Sequence, residues 1–166
     1  MGTACTHGED LRGEPGAVAR ALSAAQALCD LRRERLTEPR RRVLELLLQS
    51  RGPVKAYDLM AGFGPDGAPA KPPTVYRALE FLERLGLAHR IESLNAYVAC
   101  NHAPSGGGDR THAAAFLICE CCGAAQEVHA PPLGELKGLA ASAGYAVHTL
   151  MVEAHGLCAV CRTESA

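Results

Sequence analysis

Tryptophan is absent from the 166 residues, and aromatic residues make up only 4% of the chain. Stacking platforms for single-stranded bases need aromatic faces, so that mode of nucleic-acid binding is disfavoured. No apolar run approaches the roughly 18 residues that a membrane span requires. The first ten residues have neither the basic start nor the apolar middle of a secretion signal. The protein is therefore expected in the cytoplasm, without a membrane partner. A Gly-rich phosphate loop, an HExxH string and a Gly-x-Ser-x-Gly elbow are all missing, so neither a catalytic set nor a small-molecule substrate is expected. Excess charge is missing too, with 17 basic and 18 acidic residues.

What is present is a globular composition, 48% hydrophobic and 21% charged. The balanced total hides an asymmetry: residues 1–100 carry a net +2 and residues 101–166 a net −3. The basic excess is densest at Arg32, Arg33, Arg35, Arg40, Arg41 and Arg42. A basic front and an acidic back suggest two halves with different tasks, although on charge alone such arginines read as solvated helix ends.

Residues 1–16 read as a frayed start. From Ala17 the positions Val18, Leu22, Ala25, Leu28 and Leu31 or Arg32 recur at helical steps. Thr37-Glu38-Pro39 has the chemistry of a helix start, and Val43, Leu44, Leu46, Leu47 and Leu48 follow it as a buried helix ending near Gly52-Pro53. A short helix is expected over 56–60, a loop over 62–72, and a fourth helix opening at Pro73-Thr74-Val75-Tyr76-Arg77 and stopping at Gly86. The β-prone runs 87–92 and 96–100 then form a hairpin. Helices closed by a hairpin describe a winged helix-turn-helix, which lays one helix in the DNA major groove.

Gly106-Gly107-Gly108 marks a hinge, taken as 101–112, between a winged-helix domain at 1–100 and a small α/β domain at 113–166. In the back half, strands are expected at 114–118, 124–129 and 146–153, with a helix over 133–143. The fold class is α+β.

Eight cysteines stand out in a chain expected to be cytoplasmic, where metal binding or redox chemistry is favoured over disulfides. Cys119-Glu120-Cys121-Cys122 and Cys158-Ala159-Val160-Cys161 are two CxxC units, with 35 residues between Cys122 and Cys158. Two such knuckles match a closed tetrahedral zinc site, which leaves no open position for a reacting water. Redox chemistry at one CxxC is the rival, and it gives the second unit no role. Cys121 competes with Cys122 on position, but Cys122 completes the spacing and precedes Gly123.

A second constellation is weaker. A hairpin turning on Leu94-Asn95 would set His89 directly opposite Cys100. His112 and Glu127 could complete an N/S/N/O set of the kind zinc accepts. On spacing alone, a wing histidine and a single cysteine read as packing residues. His102, His129, His148 and His155 read as surface histidines, with a weak third metal site as the alternative, and Cys5 and Cys29 read as free thiols.

Leu36-Thr37-Glu38-Pro39-Arg40, Ala56-Tyr57-Asp58-Leu59, Lys71-Pro72-Pro73-Thr74-Val75-Tyr76-Arg77-Ala78-Leu79 and Glu153-Ala154-His155-Gly156-Leu157-Cys158 resemble the ferric uptake regulator family, most closely its zinc uptake regulator branch. The likeness runs from about Ala17 to Cys161. It implies a zinc-responsive repressor that binds palindromic operator DNA as a homodimer and controls zinc homeostasis genes. It also implies two Zn2+ per subunit: a structural ion on Cys119, Cys122, Cys158 and Cys161, and a regulatory ion on His89, Cys100, His112 and Glu127. Tyr57, Thr74, Tyr76 and Arg77 would be the DNA-binding residues. The iron-sensing branches usually carry a His-His-x-His string near the hinge, whereas here only His112 remains, which favours zinc. Ala61, Gly62 and Gly64 stand where some members place charges that join neighbouring dimers on DNA. The alternatives are a member of the family sensing iron, manganese or nickel, a zinc-dependent enzyme, and a zinc-ribbon module binding protein or RNA.

Overall fold

The computed structural model describes residues 15–64, 68–100, 114–129, 134–147 and 150–164. The chain divides into two compact units, Met1–Gly106 and Gly107–Ala166.

The first unit is helical. α1 spans Pro15–Leu31, α2 Glu38–Gln49, α3 Ala56–Ala61 and α4 Pro72–Arg84. α1 buries Val18, Leu22, Ala25, Leu28 and Cys29, while Leu31, expected on that face, is 72% exposed at the helix end. α2 begins after Thr37, as its chemistry suggests, yet the Thr37 side chain makes no capping hydrogen bond. The start rests instead on Pro39, whose fixed φ suits a first turn, and on the Arg41 N–H donating to the Thr37 carbonyl at 2.9 Å. α4 begins one residue earlier than expected, with Pro72 and Pro73 both in its first turn. Its buried side is Val75, Ala78, Leu79, Leu82 and, flanking them, Phe81. These side chains share one core with Val43, Leu44 and Leu47 of α2 and Leu59 of α3. Burying a side chain of this size contributes roughly 1.5–3 kcal/mol.

The hairpin pairs β1 (Ala88–Ile91) with β2 (Ala96–Ala99). Its register differs from the expectation. The turn is four residues, Glu92 to Asn95, not two, so His89 faces Val98 and the Cys100 N–H donates to the Leu87 carbonyl at 3.0 Å. Asn95, at φ 47, takes the left-handed conformation that lets the chain re-enter β2, and its Oδ1 accepts from Arg90 at 3.1 Å. The slip is two residues, and two residues restore the same face of a strand. His89 and Cys100 therefore remain on one side of the wing as diagonal neighbours. A bridge between Val54 and Tyr97 ties the segment before α3 to β2, with N···O distances of 2.8 and 2.9 Å.

The second unit holds a three-stranded sheet in the order β4-β3-β5, with β3 at Ala114–Cys119, β4 at Ala125–His129 and β5 at Met151–Gly156. β3 runs antiparallel to β4 and parallel to β5, and the parallel step passes through α5, Gly134–Ser142. β5 is displaced from the expected 146–153: Ala146 and Val147 carry no strand, and pairing extends to Gly156. A sixth helix, α6 at Ala159–Glu164, was not expected, because a CxxC pair masks the helical character of so short a segment. The hinge at 101–112 and the loop centre at 65–67 lie outside the described residues.

Candidate functional site

Two turns of the second unit converge on sulfur. β3 ends at Cys119, and the chain reverses through Glu120-Cys121-Cys122-Gly123 into β4. Gly123 has φ 71, a conformation that costs a residue with a Cβ about 1–2 kcal/mol. Its N–H donates to the Cys119 carbonyl at 2.9 Å, and the Cys119 N–H donates to the Ala124 carbonyl at 2.8 Å. The second turn lies between β5 and α6, with Cys158 just before the helix and Cys161 buried in it.

The Sγ atoms of Cys119, Cys122, Cys158 and Cys161 all lie within 4.8 Å of one another. Cys122 and Cys158 are 4.0 Å apart. Cys121, the positional competitor, is exposed and stands outside this group. The group is built for thiolates. The Cys158 N–H donates to the Cys119 sulfur at 3.3 Å, and the Cys161 N–H donates to the Cys158 sulfur at 3.4 Å. Backbone N–H donation, first from Cys122 and then from Cys158, holds the Cys119 thiol down at about 6. The Cys161 N–H likewise lowers the Cys158 thiol. Deprotonated sulfur is what a metal binds, so these donors reduce the proton release that coordination demands. Four soft donors at this separation fit a tetrahedral zinc or comparable thiophilic ion.

The second set divides between the units. His89 on β1 is buried, and its ring nitrogen and the half-buried Cys100 Sγ lie within 4.8 Å of each other. Glu127 lies on β4 of the other unit, half-buried, in register with Phe116. His112 lies outside the described residues, as do Cys5, His102 and His148. Of the remaining unassigned histidines, His129 ends β4, and His155 is exposed on β5, with Nε2 3.7 Å from a Glu153 carboxylate oxygen. Cys29 is a free, fully buried thiol whose burial raises its pKa.

The DNA-binding candidates lie on α3 and α4. Tyr57 in the first turn of α3 is 78% exposed, and Tyr76 on α4 is 52% exposed. Arg77 is exposed and Thr74 half-buried at the start of α4. Among the described residues Arg77 makes no ion pair, with Glu80, Glu83 or any other carboxylate. The other end of α4 is fastened. Arg84 Nη1 lies 2.7 Å from Glu34 Oε1, and the Arg40 guanidinium sits 3.5 Å over the Phe81 ring, with Arg84 5.3 Å from the same centroid. Arg42 donates to the Phe63 and Gly62 carbonyls at 2.8 and 3.0 Å and pairs with Glu45 at 2.7 Å. Two arginines of the basic cluster thus do structural work that charge counting had missed. A guanidinium opposite an aromatic ring or a backbone carbonyl distant in sequence leaves no trace in local spacing.

The ferric uptake regulator family model matches residues 32–155. The chain is 42% identical over 141 residues to the zinc uptake regulation protein of Escherichia coli (strain K12), covering 84% of this chain and 80% of that protein, and the Shigella flexneri protein of the same name matches equally. A solved zinc uptake regulator complexed with zinc and DNA is 40% identical, covers 90% of this chain and 98% of its own, and superposes with a TM-score of 0.79. The crystal structure of holo XcZur is 39% identical, covers 86% of this chain and 96% of its own, and has a TM-score of 0.75.

Proposed function

The chain belongs to the ferric uptake regulator family, and from that premise we propose that it is a zinc-responsive transcriptional repressor, not an enzyme, that binds palindromic operator DNA as a homodimer in the cytoplasm. The observation that carries this reading is the likeness, over 90% of the chain, to a regulator solved with both zinc and DNA. The thiolate group of the second unit and the exposed Tyr76 and Arg77 on the first supply the chemistry for each of those ligands. A homodimer is supported by Leu117, Leu136, Leu139 and Tyr145, which leave apolar surface on the second unit of a single chain uncovered.

In this reading Cys119, Cys122, Cys158 and Cys161 hold a structural zinc, and His89, Cys100, His112 and Glu127 hold a regulatory one, giving two ions per subunit. Zinc on the second set supplies a crosslink between elements that belong to different units. His89 and Cys100 ride on the wing, and Glu127 rides on β4. Coordination by both groups narrows the orientations the wing can take relative to the sheet. A twofold dimer must match half-sites about one helical turn apart, so a narrowed orientation is one that DNA can select. Zinc that binds only the competent arrangement raises its population, and a shift from 1:99 to 99:1 needs about 5.5 kcal/mol of differential binding. Zinc over iron is favoured by the thiolate in the set.

A mobility-shift assay on an operator fragment tests the reading. The zinc-loaded protein is expected to shift the fragment, and a chelator that strips the weaker site is expected to abolish the shift while leaving one zinc per chain. Cys100→Ser should reproduce the chelated state, folded and dimeric but silent. A shift that persists with Cys100→Ser at limiting zinc overturns the regulatory assignment. A stronger response to iron, manganese or nickel moves the protein to another sensing class.

A further inference from the structure

The side of α4 that faces away from the core carries Arg77, Glu80 and Arg84 at steps of three and four, with Tyr76 beside them. Arg84 is held by Glu34 at 2.7 Å, lies against Phe81, and acts on Glu80 only through its charge, one turn away. Among the described residues neither Arg77 nor Glu80 makes an ion pair or a side-chain hydrogen bond. A carboxylate with no hydrogen-bond donor of its own therefore stands one turn beyond Arg77, on the same exposed side of the helix.

Resting on the DNA-binding reading above, we infer that Glu80 is a specificity-determining residue, which accepts a hydrogen bond from a cytosine amino group at the base pair next to the guanine contacted by Arg77. A carboxylate facing a polyanion weakens binding to every duplex unless a donor meets it. In the major groove the donors are the amino groups of cytosine and adenine, and Asp or Glu pairs with the cytosine amino group, whereas Asn or Gln suits adenine. Guanine and thymine offer acceptors at the same edge and are rejected by like polarity. The spacing fits adjacent pairs: three residues of helix advance about 4.5 Å, against about 3.4 Å per base step. Arg84 attracts Glu80 at a distance, but its Nη1 donates to Glu34, so the Glu80 oxygens keep their lone pairs available to a base donor.

The test uses full-length zinc-loaded protein and an operator library in which each half-site position carries each base in turn. Glu80→Ala is expected to tighten binding to random duplex while discrimination at one position falls about fivefold, the equivalent of roughly 1 kcal/mol. That position should adjoin the one at which Arg77→Ala loses its preference. Glu80→Gln should shift the preference there from cytosine toward adenine. If Glu80→Ala tightens operator and random DNA by the same factor and leaves every base preference intact, Glu80 is only a repulsive surface charge and the inference fails. A wild-type protein that selects no sequence at all overturns the DNA-binding reading itself, and this inference with it.

Discussion

Arg77 stands exposed near the start of α4, and among the described residues no carboxylate is paired to it. Such a guanidinium can donate two hydrogen bonds to guanine, or one to a phosphate, and the two uses differ in measurable ways. Arg77→Ala is expected to cost about 1–3 kcal/mol on the operator and relax the preference at one base position, with zinc content and melting temperature unchanged. Competition binding against random DNA checks it. An equal loss on every sequence, with a salt slope lower by about one, would make Arg77 a phosphate contact and direct the search to Tyr57. The candidate role of Arg77 was legible from its place in Pro73-Thr74-Val75-Tyr76-Arg77. Its freedom from Glu80 was not, because i,i+3 spacing permits that pair and only the side-chain arrangement refuses it. Glu80 was legible in the same spacing, three residues on, but a glutamate on an exposed helix side usually signals solubility and draws no attention.

Among the elements, the wing shows how a turn sets what a strand presents. A two-residue turn at Leu94-Asn95 would have set His89 against Cys100, and the observed four-residue turn sets it against Val98. Both registers keep His89 and Cys100 on one face, since they differ by an even number of residues. Asn95 makes the observed turn possible by accepting φ 47. Asn95→Ala is expected to destabilise the first unit by about 1–2 kcal/mol, and Asn95→Gly by less, because glycine carries no Cβ penalty in that conformation. Denaturant unfolding of the two variants measures the difference. An equal cost for both would place the contribution in the Arg90–Asn95 hydrogen bond instead of the backbone. Apart from α6, element types were readable from apolar periodicity in both halves. The shifted bounds of β5 were not, because alternation breaks at the adjacent apolar residues Met151 and Val152 and the strand's extent follows from pairing with β3.

For the whole molecule, the two units are unequal in core. The first buries an extended set of leucines, valines and Phe81. Buried apolar residues described in the second are few: Ala115, Phe116, Ile118, Ala125 and the cysteines Cys119 and Cys161. So small a core supplies little stability on its own, and a metal clip is the usual supplement. Cys158→Ser is therefore expected to unfold or monomerise the second unit, with loss of one zinc per chain, while the helical unit keeps its structure. Zinc analysis together with sedimentation and far-UV circular dichroism reads all three. A stable dimer with full zinc content would refute the four-cysteine site.

The sequence by itself determined the division of labour in this chain: a winged-helix front, a small α/β back, two CxxC knuckles, and family strings dense enough to point to a metal-responsive regulator. These features are local, since apolar period, turn residues and ligand spacing are all written within a few neighbouring positions. Tertiary structure brought the two knuckles together, with Cys122, favoured already by spacing, inside the group and Cys121 outside it. It decided that Arg40, Arg42 and Arg84 serve the fold while Arg77 and Glu80 stay open to a partner. Such choices depend on residues dozens of positions apart meeting in space: Arg84 is engaged because Glu34, fifty residues earlier, lies 2.7 Å from it.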